Sequence, residues 1–263
     1  MKPTAFLQGR TALVTGASGG IGAAVARRLH ERGAVVILAA RSADKLAALA
    51  AELGPRAHAL TLDVADEKAV RAAFETIRER FGGVDVLVNN AGFGRFEPAL
   101  AAPHDSFRAM MDVNYFAAVQ CTREALPHML QRGSGAIVNV ASIAGKFATA
   151  KSSGYSATKH ALLGFTNALR QELHGTGVHV MAVNPGPVST SFFDIADPEG
   201  GYVSNVRWMM VTPEQVADAV VDGLARRKAE VNVPGWLGAA VRVGQLLPIG
   251  LVGAFSAKFL KLK

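Results

Sequence analysis

A glycine-rich turn held between an apolar run and an amphipathic stretch constrains this chain more than any other feature. Ala12-Leu13-Val14 reads as a buried strand and Ile21 to Leu29 as a helix, with Thr15-Gly16-Ala17-Ser18-Gly19-Gly20-Ile21-Gly22 between them. Such a turn lets the backbone approach a pyrophosphate and aims free N–H groups and the helix dipole at it. Its spacing is the loose T-G-x-x-x-G-x-G form, distinct from G-x-G-x-x-G.

Beyond the turn, apolar runs alternate with helical patterns. Strands are expected near Ala12 to Thr15, Val35 to Ala39, Ala57 to Leu62, Val84 to Val88, Ala136 to Val140, Val178 to Val183 and Val231 to Val233. This alternation predicts an α/β fold, a single doubly wound parallel sheet with helices on both faces. Thr212-Pro213 with Gln215 reads as a capping-box start for the last of these helices. In such a sheet, ligands gather beyond the carboxyl ends of the strands where the strand order reverses. Asn90, Ser142 and Pro185 each follow an expected strand and are expected on that rim.

The chemistry-bearing pair is Tyr155 and Lys159, in Gly154-Tyr155-Ser156-Ala157-Thr158-Lys159-His160. On a helix, residues four apart share a face, so the ammonium is expected to favour the phenolate. A phenol whose pKa is lowered from about 10 can move a proton on or off an alcohol oxygen near neutral pH.

Composition narrows the alternatives. A chain of 263 residues that is 50% hydrophobic can bury a full core in one domain. The net charge of +7 is spread over helices such as Arg71 to Arg80, where bases alternate with acids. No clustered basic stripe calls for a nucleic acid. The single cysteine, Cys121, is expected to pack as a small apolar residue, and the seven histidines offer no metal-ligand spacing. With no room for a signal peptide before the first strand, a reducing cytoplasm is the expected location.

Taken with the glycine turn, Asp63-Val64, Asn89-Asn90-Ala91-Gly92, Asn114, Ser142, the Tyr155/Lys159 pair and Asn184-Pro185-Gly186-Pro187-Val188-Ser189-Thr190 form an ordered set. From about Gly9 to about Val233 the sequence resembles the short-chain dehydrogenase/reductase family. The resemblance implies a Rossmann-type domain over residues 1–234, with residues 235–263 as a C-terminal extension of it, and a homodimer or homotetramer. It further implies that Ser142 hydrogen-bonds the substrate oxygen and that Tyr155 exchanges the proton. Lys159 would lower the tyrosine pKa and hold the nicotinamide ribose, and Asn114 would position a water relaying protons to Lys159. For the cofactor, it implies Gly16, Ser18, Gly20, Ile21 and Gly22 at the pyrophosphate and Asp63 with Val64 at the adenine. Asn90, Ala91 and Gly92 would lie on the adenosine side and Val188 with Thr190 on the carboxamide, with Pro185 and Gly186 also among the cofactor-binding residues. The physical logic stands apart from the family, since two preplaced hydroxyls stabilise the negative charge that hydride transfer leaves on a carbonyl oxygen.

Cofactor choice turns on Ala40-Arg41-Ser42 after the second strand. An acid there would take the ribose 2′-hydroxyl of NAD, whereas a cation suits the 2′-phosphate of NADP. Ala40 stands at the acid's position and Arg41 follows it, so NADP(H) is expected to be preferred, with NAD(H) as a second cofactor.

Phe192, Phe193, Tyr202, Trp208, Met209 and Met210 concentrate apolar bulk in an expected loop and lid. This fits an apolar ligand, a partner surface or simple folding back into the core. In the extension, Val252, Phe255, Phe259 and Leu262 recur at helical spacing opposite Ala254, Lys258 and Lys261. The segment is too short and too interrupted by Pro248 to span a bilayer, and reads as an amphipathic helix for a membrane surface, the substrate pocket or a second subunit. The sequence therefore predicts an NADP(H)-dependent oxidoreductase of a lipophilic secondary alcohol or ketone. Reduction of a 3-oxoacyl carrier protein and cofactor sensing without turnover are the alternatives.

Overall fold

The computed structural model describes residues 6–246. Among them, seven strands form one sheet in which every neighbouring pair runs parallel. The strands are β1 (Thr11–Thr15), β2 (Val35–Ala40), β3 (Ala57–Thr61), β4 (Val86–Asn89), β5 (Gly135–Val140), β6 (Val178–Pro185) and β7 (Glu230–Val233). Their spatial order is β3, β2, β1, β4, β5, β6, β7, which reverses direction between β1 and β4. This is the doubly wound sheet expected from the alternation.

Two helical layers bury the sheet, which is why its strands read as nearly unbroken apolar runs. On one face lie α1 (Gly20–Glu31), α2 (Ala43–Leu53) and α9 (Pro213–Ala225), whose Leu29, Leu46 and Val220 meet Val14, Val36 and Val86. On the other lie α3 (Glu67–Phe81), α5 (Ala117–Gln131) and α6 (Ser153–Glu172), whose Phe74, Met129 and Leu169 meet Leu13, Ile37 and Leu87. Successive residues such as Leu13 and Val14 thus point to opposite layers, as the strand period requires. Burial pushes the Cys121 thiol up to about 12, in keeping with a packing role.

Two strand ends differ from expectation by two residues, and the others by at most one. β4 begins at Val86 rather than Val84, because Asp85 precedes it as a buried anchor. Pro185 is the last residue of β6 rather than lying beyond it, since Pro185 pairs with Val233 and Gly186 N donates to Val233 O at 2.7 Å. The capping box at α9 forms as predicted, with Gln215 N donating to Thr212 Oγ1 at 3.3 Å and Thr212 N to Gln215 Oε1 at 2.8 Å.

Asp85 closes the amino end of the sheet. Its carboxylate accepts from Thr11 N at 2.9 Å and from Arg10 Nη1 at 3.0 Å, and Arg132 Nη1 lies 3.0 Å away. Asp85→Ala strands the Thr11 N–H and two guanidinium groups, with an expected cost of about 2 kcal/mol in denaturant unfolding. An unchanged unfolding midpoint would contradict this role.

The remaining helices flank the rim or frame the cavity there: α4 (His104–Met111), α7 (Phe192–Ala196), α8 (Gly201–Val206) and α10 (Gly235–Gln245). α10 is the described part of residues 235–263. The amphipathic pattern at Val252, Phe255, Phe259 and Leu262 lies outside the described residues. Among the described residues, no helix is long and apolar enough to cross a membrane.

Candidate active site

A cavity of about 1200 Å³ opens at the carboxyl edge of the sheet, over the reversal between β1 and β4. The β1 and β4 loops that flank it are fastened together. Thr15 Oγ1 accepts from Asn90 N and Ala91 N, each at 3.0 Å, and Asn90 Nδ2 donates to Thr15 O at 2.9 Å. Gly16 has φ +67°, and a Cβ there would lie 2.9 Å from both Ala91 Cα and Asn90 Nδ2. Only glycine satisfies both that conformation and that close approach. α1 starts without a side-chain cap and without an acid in its first turn, and Gly19, Gly20 and Ile21 line the cavity. The orphan N–H groups and positive dipole end of a helix of this length suit an anionic ligand. The cradle therefore fits the pyrophosphate of a dinucleotide.

Ser142, Tyr155 and Lys159 meet on the cavity wall. Ser142 lies just beyond β5 and its hydroxyl caps the short turn Ile143–Gly145, accepting from Ala144 N at 3.0 Å. Tyr155 and Lys159 occupy one turn of α6, with Lys159 Nζ 5.7 Å from the centre of the tyrosine ring. Lys159 Nζ donates to Val140 O at 2.9 Å, which ties α6 to the end of β5.

The electrostatics depart from the expected lowered phenol. Burial pushes the Tyr155 phenol well above its ordinary value, against the opposing influence of the Ser142 hydroxyl, and burial lowers Lys159 to about 8. The physical reason is that desolvation penalises both charged forms, while the lysine's hydrogen bond goes to Val140 O. Within the protein's own groups, Tyr155 is thus a protonated donor at neutral pH.

Asn114 sits behind the wall, 1% exposed, in a single π-helical turn (Asp112–Phe116) between α4 and α5. Its Oδ1 accepts from Phe93 N at 2.9 Å, and its Nδ2 donates to Phe93 O at 2.8 Å and to Thr158 Oγ1 at 3.0 Å. It thereby pins the β4 loop to α6. A Cβ on Gly92 would lie 3.0 Å from Asn114 Oδ1 and 3.6 Å from Lys159 Nζ, so all three groups converge.

Of the other residues singled out from the sequence, Gly16, Ser18, Gly20, Ile21, Arg41, Asp63, Val64, Asn90, Ala91, Gly92, Pro185, Gly186, Val188 and Thr190 line the cavity. Gly22 does not. It is buried against the Gly16 carbonyl and the Asn90 amide, which leaves no room for a side chain. Its contribution is close packing of helix on turn.

A second cation on the cavity wall escaped the sequence reading. Lys45, on the first turn of α2, joins Arg41 on the cavity wall, and its position four residues beyond Arg41 was the available signal. Of the alternatives expected for residues 235–263, the cavity is the one that α10 meets, since Trp236, Leu237, Ala240 and Val241 line its opposite end. There the wall is apolar. Phe96 packs on Tyr155, Phe192, Phe193 and Tyr202 with ring centres 4.8 to 6.3 Å apart, and Trp208 and Met209 also line the cavity. The apolar lid residues thus face the cavity, with the exception of Met210, which is absent from its lining. Among the described residues, no group of His, Cys, Asp or Glu is placed to hold a metal ion.

Comparison with known proteins agrees with this geometry. Residues 10–199 match the short chain dehydrogenase family. Dehydrogenase/reductase SDR family member 11 of Gallus gallus is 41% identical over 227 residues, spanning 81% of this chain and 89% of that protein. Among solved structures, the closed form of serine dehydrogenase complexed with NADP+ superimposes with a TM-score of 0.80 at 33% identity, covering 84% of this chain and 93% of that one. The 3-ketoacyl-(acyl-carrier-protein) reductase of Brucella melitensis complexed with NADH gives a TM-score of 0.78 at 30% identity, covering 86% and 97%. By fold, by sequence and by the grouping of these side chains, the chain belongs to the short-chain dehydrogenase/reductase family of oxidoreductases.

Proposed function

We propose that the protein reduces an apolar ketone to a secondary alcohol with NADP(H), and catalyses the reverse oxidation. One observation carries the reading: Ser142, Tyr155 and Lys159 stand where a glycine-lined cradle meets an apolar chamber in a single cavity. The nicotinamide, when bound, supplies the hydride that adds to the carbonyl carbon. The Tyr155 hydroxyl donates the proton to the carbonyl oxygen, and Ser142 donates a hydrogen bond to the same oxygen. The two hydroxyls stabilise the charge that develops there. Lys159 holds the nicotinamide ribose and biases the phenol. Asn114 acts through Phe93 and Thr158 as a positioning residue for Lys159, and a water held beside it would carry protons onward. Val188 and Thr190, after β6, are the candidates for the carboxamide, and Asp63 and Val64 for the adenine.

Arg41 and Lys45 support the NADP(H) preference, because both are exposed cations at the cavity end beyond β2, where Ala40 offers no carboxylate. Arg41→Ala is expected to weaken NADPH binding on the order of 10-fold while leaving NADH nearly unchanged. Ala40→Asp should go further and favour NADH by repelling the 2′-phosphate. Titration of both cofactors into both variants checks this, and an unaltered preference would contradict it.

The likeness to a 3-ketoacyl-(acyl-carrier-protein) reductase favours a second reading, in which the ketone arrives on an acidic carrier. A screen with NADPH against free ketones and acyl thioesters separates the two. Absence of turnover with every carbonyl compound, despite tight NADPH binding, would instead favour a cofactor sensor.

A further inference from the structure

The two tryptophans of this chain meet at the apolar end of the cavity. Trp208 lies in the short turn Arg207–Met209 after α8, and Trp236 is the second residue of α10. Their indoles are stacked, with centres 5.9 Å apart and planes at 21°. Both line the cavity, yet they are 75% and 51% exposed. Core packing does not account for a stacked pair left so largely in water, since burial is what makes large aromatic rings worth placing.

The two carriers of these rings are separately anchored. β7 presents Glu230, whose Oε1 accepts from Lys146 Nζ at 2.6 Å, Asn232 Nδ2 at 2.9 Å and Arg242 Nη2 at 3.2 Å. Gln245 Nε2 also donates to Lys146 O at 3.1 Å, so α10 is tied to the segment that carries Ser142. On the other side, Phe96 N donates to Ala196 O at 2.9 Å, tying the lid to the β4 loop. Between the indoles and the reacting phenol the wall is aromatic: Phe193 stacks on Tyr202 at 5.8 Å, and Phe192 lies 5.5 Å from Tyr155.

Resting on the reading of the cavity as a ketone reductase site, we propose that Trp208 and Trp236 form a clasp across the mouth of the substrate chamber. The indoles receive the apolar body of the ketone beyond its carbonyl, and they set specificity for ketones long enough to reach them. A small ketone held only at Ser142 and Tyr155 gains nothing from the clasp.

The test compares methyl nonyl ketone with acetone in the full-length protein with NADPH. Trp208→Ala and Trp236→Ala should each lower kcat/KM for methyl nonyl ketone on the order of 10-fold or more, chiefly through KM, and change that for acetone less than about 3-fold. Trp236→Phe should recover part of the loss, and NADPH affinity should not move. Equal losses on both ketones, or none on either, would overturn the clasp. A second readout does not depend on turnover. Because no other indole is present, intrinsic tryptophan emission with NADP+ bound should change on adding methyl nonyl ketone and not on adding acetone. Emission that methyl nonyl ketone leaves unmoved would also overturn the clasp. A wild-type protein that reduces neither ketone would contradict the proposed function instead, and the emission result would still decide the clasp.

Discussion

Tyr155→Phe is expected to cut ketone reduction at least ~100-fold while leaving NADPH affinity nearly intact, the scale associated with losing a general acid. The substitution removes one hydroxyl and keeps the ring, so the contacts with Phe96 at 5.8 Å and Phe192 at 5.5 Å remain available to hold the wall in place. Burial raises the phenol above its ordinary value, so the wild-type group is fully protonated at neutral pH and ready to donate. Reduction needs a donor, whereas oxidation of the alcohol needs the phenolate, which the ammonium of Lys159 would favour. Steady-state rates within a few-fold of wild type would contradict the assignment of Tyr155.

Lys159→Met is expected to reduce turnover at least as severely, on the order of 100-fold or more, and at the same time to stabilise the fold near neutral pH. Burial lowers the folded-state pKa of Lys159 to about 8 from its ordinary 10.5. Below pH 8 the amine is protonated in both folded and unfolded chains, and the full desolvation penalty weighs on the folded state. Between about 8 and 10.5 the folded chain has released the proton and the unfolded chain still holds it, so stability rises with pH by at most about 1.4 kcal/mol per unit. The methionine variant lacks this slope. Its stability advantage over wild type should therefore shrink as pH rises from 8 to 10, as read by denaturant unfolding of both proteins. The lost hydrogen bond to Val140 O subtracts from the advantage at every pH and leaves the slope unaltered. An advantage that is flat or grows with pH would contradict a desolvated, protonated Lys159.

What was legible in the sequence is what depends on local pattern. Apolar runs located all seven strands, because a parallel sheet covered on both faces demands them. The Thr212/Gln215 box marked the start of α9, because capping is a contact over three residues. The misplaced ends have tertiary causes: Asp85 is held by Arg10 and Arg132 from distant segments, and Pro185 is held in the sheet by its pairing with β7. The same distinction applies to the site. The grouping of Ser142 and Tyr155 follows from motif order and topology. Lys45 reaches the cavity through the packing of α2, and only tertiary contacts choose among the alternatives for the extension, since Arg242 and Gln245 tie α10 to Glu230 and to Lys146 at the apolar end of the cavity. Nor could the residue spacing show how strongly burial opposes charge on the Tyr155/Lys159 pair.

The central claim is that this cavity transfers hydride from a nicotinamide to a ketone carbon while Tyr155 supplies the proton. NADPH carrying deuterium at the transferable position, incubated with the protein and methyl nonyl ketone, tests it by mass spectrometry of the product. The claim predicts a secondary alcohol with one deuterium on its carbinol carbon from the wild type and almost none from Tyr155→Phe. Failure to form alcohol from any ketone by a protein that binds NADPH, or equal deuterium transfer by the wild type and Tyr155→Phe, would contradict it.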